Sequence, residues 1–89
     1  MRAIITAYGQ NRSGILAAIT ALVGNFSMDI RDISQKIMDE YFTMIMLVDM
    51  SKSNITIADA RKQFSELGKN LSLIIEIQHE DVFKAMQRI

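Results

Sequence analysis

The sequence contains no cysteine, and this absence excludes several kinds of chemistry. Disulfide frameworks, thiolate catalysis, iron–sulfur clusters and cysteine-ligated zinc all need a thiol that the chain does not have. Net charge is also missing, because 10 lysines and arginines balance 10 aspartates and glutamates. A neutral chain provides no field to steer it onto nucleic acid or an anionic membrane, so we expect neither partner.

A long apolar run is missing from the amino-terminal segment, which reaches polar turn residues by Gly9. This segment is far too short for a signal-peptide core or a membrane span. We therefore expect a cytoplasmic protein.

The remaining composition is that of an ordinary globular protein, since 49% of the residues are apolar and 22% are charged. With 89 residues in total, two independent cores would each be too small to bury enough apolar surface. We expect a single domain over residues 1–89.

The first part of the chain predicts a strand followed by a helix. Residues 2–8 are apolar at nearly every position and are followed by polar residues, which is typical of a short interior strand. Apolar residues then recur at helical spacing over residues 15–26. Asn11 and Ser13 are the two candidates to cap the start of this helix, and Gly24-Asn25 is the expected left-handed end.

The middle of the chain predicts a hairpin. The apolar alternation over residues 27–38 changes parity on the way, so this second strand needs a β-bulge near Asp32. The polar pair Asp39-Glu40 then leads into a third strand over residues 41–50. Both faces of the third strand are mostly apolar, which indicates that something covers each of them.

The last part of the chain predicts a helix, a strand and a short terminal helix. Thr56, with Asp59 three residues later, is typical of a helix start, and this second helix is expected to run to about Gly68. Alternating apolar residues over 71–78 predict the fourth strand. Apolar residues at helical spacing then predict a helical tail over residues 80–89.

This order predicts an α+β fold, the ferredoxin-like βαββαβ sandwich, in which two helices cover one face of a four-stranded antiparallel sheet. The right-handed crossover rule gives the strand order four-one-three-two. The other sheet face is expected to carry Ile45, Leu47 and the odd-numbered residues of strand one or strand four. Pairing with a second copy of the chain is the most economical way to cover it, so we expect a homodimer.

The same fold plan also occurs in proteins with other functions, which the residues of this chain do not favour. An RNA-recognition module would need aromatic side chains on its central strands, on which bases can stack, and basic residues around them. The only aromatic residues on the predicted strands are Tyr8, Tyr41 and Phe42, and the net charge is zero. An acylphosphatase-like site would use Arg12 with Asn11, but their loop is too short to wrap a phosphate. Metal and catalytic residues are not indicated, because the only histidine stands alone at the end of strand four.

Two motifs carry a family resemblance. The first is the loop between strand one and helix one, formed by Asn11, Arg12, Ser13, Gly14, Ile15 and Leu16. It resembles the loop of ACT domains, usually Asp-Arg-x-Gly-x-Leu, and residues 28–35 resemble the entry to that family's second strand. The likeness covers residues 2–78 and is strongest to small stand-alone ACT proteins related to the halves of the glycine-cleavage regulator.

The resemblance implies a regulatory module that binds an amino acid or a similar small metabolite where two domains meet, without a cofactor. The implied site contains the six loop residues together with Asp29 and Ile30. The amide groups at the start of helix one would receive the ligand's carboxylate, and Gly14 would allow its close approach. Asp29 would face the ligand's ammonium group. Signalling would pass to a separate regulated protein.

Two positions depart from the family pattern, since Asn11 stands where the family has Asp and Asp29 stands where it usually has Asn. The identity of the ligand therefore does not carry over. A purely structural interpretation stays open at this stage, in which Gly14 permits tight packing of the first helical turn and Asn11 or Ser13 caps the helix. An assembly module that dimerises without a ligand is the alternative function.

Overall fold

The computed structural model describes residues 1–86, which form seven elements in the order β-α-β-β-α-β-α. The elements are β1 (Arg2–Gln10), α1 (Ile15–Asn25), β2 (Asp29–Met38), β3 (Tyr41–Asp49), α2 (Ile57–Leu71), β4 (Leu73–His79) and α3 (Glu80–Met86). This order confirms the predicted ferredoxin-like fold. The last part of the expected tail, residues 87–89, lies outside the described residues. Across residues 1–86, no helix is both long and apolar enough to cross a bilayer.

The four strands form one antiparallel sheet in the order β2-β3-β1-β4, which confirms the predicted neighbours. β2 lies at an edge of the sheet and pairs only with β3. The register of that pairing shifts between Ile30 and Asp32, so Arg31 is an extra residue in β2. The predicted bulge near Asp32 is therefore confirmed.

The core lies between one face of the sheet and the two helices α1 and α2. Its sheet side is formed by Ala3, Ile5, Ala7, Phe42, Met44, Met46, Val48, Leu73, Ile75 and Ile77. From the helices, Ile15, Ile19 and Val23 of α1 and Phe64 of α2 pack onto them. Just after α1, the ring of Phe26 meets the ring of Phe64 edge-on at 6.1 Å between centroids.

The start of α2 is as predicted, but its end is not. The side-chain oxygen of Thr56 accepts a hydrogen bond of 3.1 Å from the backbone N–H of Asp59. α2 then continues to Leu71, beyond the expected end at Gly68, and stops at Ser72, which adopts a left-handed conformation with φ of 58°. Gly68 is buried inside the helix because α2 runs close to β4, not because a glycine is needed to end it.

The end of α1 also differs from the prediction. Gly24 and Asn25 both remain helical, and the left-handed residue is Ser27, with φ of 55°. The backbone N–H of Phe26 still donates to the carbonyl oxygen of Leu22 at 3.2 Å, so the last turn extends past the expected stop. Phe26, which packs against the core, follows this last turn directly.

We call the sheet face opposite α1 and α2 the open face. Its β1 and β4 residues are even-numbered, because the odd-numbered ones point into the core, so the predicted parity was wrong. Ile45 and Leu47 do lie on the open face, as predicted. α3 packs across part of it, and Phe83 borders a cavity of about 460 Å³ on this face together with Ile45.

An ion pair connects α3 to β1. The guanidinium Nη2 of Arg2 donates to the Oε2 atom of Glu80 at 2.6 Å. This hydrogen bond lowers the pKa of the Glu80 carboxyl below its usual value. Both side chains remain in contact with water, so the pair orients α3 more than it stabilises the fold.

Substituting two glycines by alanine should have opposite effects on stability. In Gly68→Ala the new Cβ would lie 2.6 Å from the carbonyl oxygen of Leu73, so α2 must move, at a cost of about 1–3 kcal/mol. In Gly24→Ala no atom lies within 4 Å of the new Cβ, and the better helix propensity should stabilise the protein by about 1 kcal/mol. Thermal unfolding of both variants tests this, and stabilisation by Gly68→Ala would contradict it.

Candidate functional site

The loop between β1 and α1 is fixed against the β2–β3 turn. The backbone N–H of Asn11 donates to the carbonyl oxygen of Glu40 at 2.6 Å. Because Asn11 directly follows the last residue of β1, this bond determines where the rest of the loop begins. The loop therefore has a defined position relative to β2 and β3.

Gly14 is the N-cap residue of α1 and has a left-handed conformation, with φ of 86° and ψ of 0°. No atom lies within 4 Å of where its Cβ would be, so the glycine is required by its backbone conformation and not by tight packing. The helix start has no side-chain cap, so neither Asn11 nor Ser13 acts as the predicted cap. The first N–H groups of α1 thus have no side-chain partner and are available to an anionic group.

A depression beside this helix start, which we call the loop depression, has a volume of about 270 Å³. It is lined by Asn11, Arg12, Ser13, Gly14, Ile15, Leu16, Gln35, Ile37 and Phe42. The structure thus brings together the six predicted loop residues. Its volume is slightly below the range of about 300–1,000 Å³ that is usual for small-molecule sites.

Three lining residues of the loop depression were missed from the sequence. Gln35 and Ile37 belong to β2, and Phe42 belongs to β3 directly opposite Ile37. The predicted hairpin turn at residues 39–40 already placed Ile37 opposite Phe42. The antiparallel pairing of β1 with β3, in which Gln10 lies opposite Tyr41, brings this end of the hairpin beside the loop, and the hydrogen bond from Asn11 to Glu40 fixes it there.

The β2 side of the loop depression continues into an apolar stripe, which we call the edge stripe. It consists of Ile30, Ile33 and Ile37, which share a face because each lies opposite a core residue of β3. Their side chains are 40–52% exposed, because α1 does not reach over the edge strand. The helix-side face of β2, which also carries Gln35 between Ile33 and Ile37, is therefore mostly apolar but uncovered.

The structure does not bring Asp29 and Ile30 to the loop depression. β2 begins at Asp29, opposite Asp49, and reaches the loop depression only at its other end. Eight residues of strand separate Asp29 from Ile37, which corresponds to about 26 Å. Within one chain, a single amino acid therefore cannot contact both the start of α1 and Asp29.

Asp29 lies instead in a second depression of about 540 Å³, lined by Ser27, Met28, Asp29, Arg31, Asp49, Ser51 and Lys52. The Oδ2 atom of Asp29 is 3.2 Å from the Nη1 atom of Arg31, and both side chains are exposed. In the same depression, hydrogen bonds from the hydroxyl and the backbone N–H of Ser51 lower the pKa of the Asp49 carboxyl. Acidic and basic groups alternate here, so no single charge dominates.

In the part of the chain that the structure describes, nothing around the other polar side chains singled out from the sequence, His79 and Arg12, indicates catalysis. The Nδ1 atom of His79 accepts a hydrogen bond of 3.0 Å from the backbone N–H of Asp81, at the start of α3. Arg12 is exposed in the loop. Within residues 1–86, no three histidine, aspartate or glutamate side chains are grouped so that they could hold a metal ion.

Comparisons with known proteins agree with this architecture. The family model described as ACT domain matches residues 2–78. The UPF0237 protein of Clostridium acetobutylicum is 43% identical over 89 residues, and the match covers 100% of both chains. An ACT domain protein from Streptococcus pneumoniae has a similar structure, with a TM-score of 0.81 and 35% identity over 100% of this chain and 97% of that one.

A putative glycine cleavage system transcriptional repressor is also similar, with a TM-score of 0.76 and 29% identity over 89% of this chain and 47% of that one. The match thus spans about half of the repressor chain, which agrees with the predicted likeness to one half of such a regulator. Because the family model matches residues 2–78, the chain belongs to the ACT domain family.

Proposed function

We propose that this protein is a stand-alone regulatory module that binds an amino acid or a similar small metabolite between two copies of the chain and signals to a separate protein. The observation that carries the proposal is the loop depression, where six loop residues surround a helix start without a side-chain cap. The membership of this chain in the ACT domain family also supports a role in ligand-dependent regulation.

The chemistry of the loop depression suits one end of an amino acid. The free N–H groups at the start of α1 and the positive end of its dipole favour a carboxylate. The space beside the helix start is empty because Gly14 has no side chain, and a ligand could approach the N–H groups through this space. Ile37, which is 52% exposed, then offers apolar contact to the ligand's side chain.

A second copy would complete this site. The loop depression is small and opens towards β2, whose edge stripe is uncovered and whose outer backbone groups have no strand beside them. Pairing β2 with β2 of a second copy would satisfy those backbone groups and cover the edge stripe. The contact would therefore close the loop depression on its open side.

The same pairing accounts for Asp29. In a two-fold antiparallel pair, the beginning of each strand lies beside the end of its neighbour. Asp29 and Ile30 of the second copy would then approach the end of β2 that borders the loop depression, near Met38. The eight predicted site residues would be divided between two chains. Ile30 of the second copy would lie on the same side of the sheet as Ile37, whereas Asp29, opposite Asp49, points to the open face, so the ligand's ammonium group would have to reach it around the start of the second copy's β2.

The charges of β2 favour one register for this contact. Asp32 and Lys36 both point to the open face, and neither forms an ion pair within the described residues. If the two-fold axis passes beside Ser34, Asp32 of each copy lies opposite Lys36 of the other. The interface would then contain two cross-strand ion pairs, each worth roughly 0.2–1 kcal/mol.

A charge exchange tests this interface. In Asp32→Lys, two lysines of each copy would face two lysines of the other, and in Lys36→Asp the facing residues would all be aspartates. We expect each variant alone to have half the mass of the wild-type assembly by light scattering. Mixing the two variants should restore the full mass, because lysines then face aspartates. Unchanged masses in both single variants would contradict the β2 contact.

Ligand binding is tested by thermal shift against the amino acids at several concentrations, followed by calorimetric titration of any ligand found. Asp29→Asn should weaken that ligand by about ten-fold, because a charge-assisted hydrogen bond becomes a neutral one. The matched control is Glu66→Gln, which neutralises an exposed carboxylate on α2 and should leave the affinity unchanged. Equal affinities of wild type and Asp29→Asn would remove Asp29 from the site.

Gly14→Val tests the helix start directly. Its Cβ meets no neighbour, so the fold should persist, with a loss of about 1–2 kcal/mol from the left-handed backbone. The ligand-induced thermal shift should disappear, because the valine side chain stands beside the N–H groups of α1. Gly24→Ala, a glycine change outside the site, should retain the shift. A variant Gly14→Val that still binds the ligand would exclude the loop depression as its site.

The alternative is an assembly module without a ligand, and the uncovered edge stripe is the observation that favours it. Both functions predict the β2 contact, so the charge exchange does not distinguish them. The ligand screen does: no amino acid that shifts the wild-type melting temperature at millimolar concentration would make the assembly module the better conclusion.

A further inference from the structure

The open face retains a large uncovered apolar surface after α3 has packed onto it. α3 covers the end of the face near Ile4, which is only 9% exposed. The half that lies towards the loop, which we call the free half, carries Tyr8, Met38, Tyr41, Ile45 and Ile74, each about half exposed. Neighbouring strands bring these side chains side by side, since Tyr8 lies opposite Ile74 and Met38 lies opposite Tyr41.

α3 itself has an apolar side that points away from the sheet. Phe83 is half-buried against its own open face, whereas Val82 and Met86 are 50% and 60% exposed. The molecule therefore has two unpartnered apolar surfaces on the same side, the outer side of α3 and the free half.

We propose that these two surfaces join two copies of the chain in a contact separate from the β2 edge, which goes beyond the proposed function. A two-fold axis that crosses the strands within the contact places α3 of each copy on the free half of the other. Val82 and Met86 of one copy then pack near Tyr8 and Ile74 of the second. Every contact occurs twice, as a two-fold interface requires.

The available area agrees with such an interface. Seven large apolar side chains are involved, namely Tyr8, Met38, Tyr41, Ile45, Ile74, Val82 and Met86. Half of a large side chain is about 80–100 Å², so they provide about 600 Å² per copy. Counted over both copies this is about 1,200 Å², which is the lower end of the range for specific, stable interfaces.

Charge argues against nucleic acid as the occupant. Among the described residues of the free half, Lys36 is the one basic side chain, and the acidic side chain of Glu76 lies nearby on β4. A nucleic-acid surface needs several basic groups along the backbone of its ligand. A second copy, which is neutral and presents the same apolar groups, is the partner that fits.

Together with the β2 contact, this interface would give four copies, with a mass four times the 10.1 kDa of one chain. Ile74→Lys places a charge in the free half at a site that is already exposed, so the fold should be kept. We expect sedimentation velocity at tens of micromolar to show half the wild-type mass for this variant. Met86→Lys, on α3, should have the same effect, and Gln63→Lys, an exposed change on α2, should have none.

The outcomes separate this proposal from the β2 contact. If Ile74→Lys and Met86→Lys both keep the wild-type mass, the open-face contact is wrong. If they halve the mass but Asp32→Lys does not, the open-face contact is supported and the β2 contact fails. Ligand titration of Ile74→Lys should give the wild-type affinity, because the loop depression lies on the other side of the sheet. A wild-type protein that is monomeric would overturn both contacts.

Discussion

Two helices pack against a sheet of four strands, and their apolar side chains cover only three of them. β1, β3 and β4 supply the sheet side of the core, whereas every residue of β2 is exposed. Two helices about 10 Å wide could span four strands spaced about 4.8 Å apart, so the exposure of β2 comes from where α1 and α2 lie on the sheet and not from a lack of helix width. The uncovered strand β2 borders the start of α1. The loop depression and the edge stripe therefore both exist because none of the described helices packs over β2.

This arrangement links the loop depression to the edge strand β2, through which we propose that two copies pair. The loop depression borders β2 through Gln35 and Ile37, and the loop is bonded to the β2–β3 turn through Asn11 and Glu40. A movement of the β2–β3 hairpin would therefore move the loop at the start of α1. In the same way, a ligand bound at the start of α1 would favour one position of the hairpin. Such coupling between a ligand and a subunit contact is what a regulatory module requires.

Most of the fold could be predicted because alternation and helical spacing are local signals. The parity change before Asp32 revealed the bulge, and Thr56 with Asp59 revealed the start of α2. The errors have a different origin. Gly68 was interpreted as a helix end, but its role depends on how closely α2 approaches Leu73, which local sequence does not contain. The grouping of Asp29 with the loop stays a prediction: within one chain, strand length carries Asp29 to the far end of β2, so it would need a second copy to approach the loop.

The bulge at Arg31 has a further consequence for β2. Without the extra residue, Ile30 would point to the opposite face from Ile33 and would no longer share a face with Ile33, Gln35 and Ile37. The bulge also fixes the alignment of β2 against β3, since sliding by one residue would turn every later side chain to the wrong face. An exposed apolar edge normally invites indiscriminate stacking and aggregation. Here the bulge interrupts the regular spacing of backbone hydrogen-bonding groups at one end of β2. A regular strand from another protein could therefore not pair with β2 along its whole length.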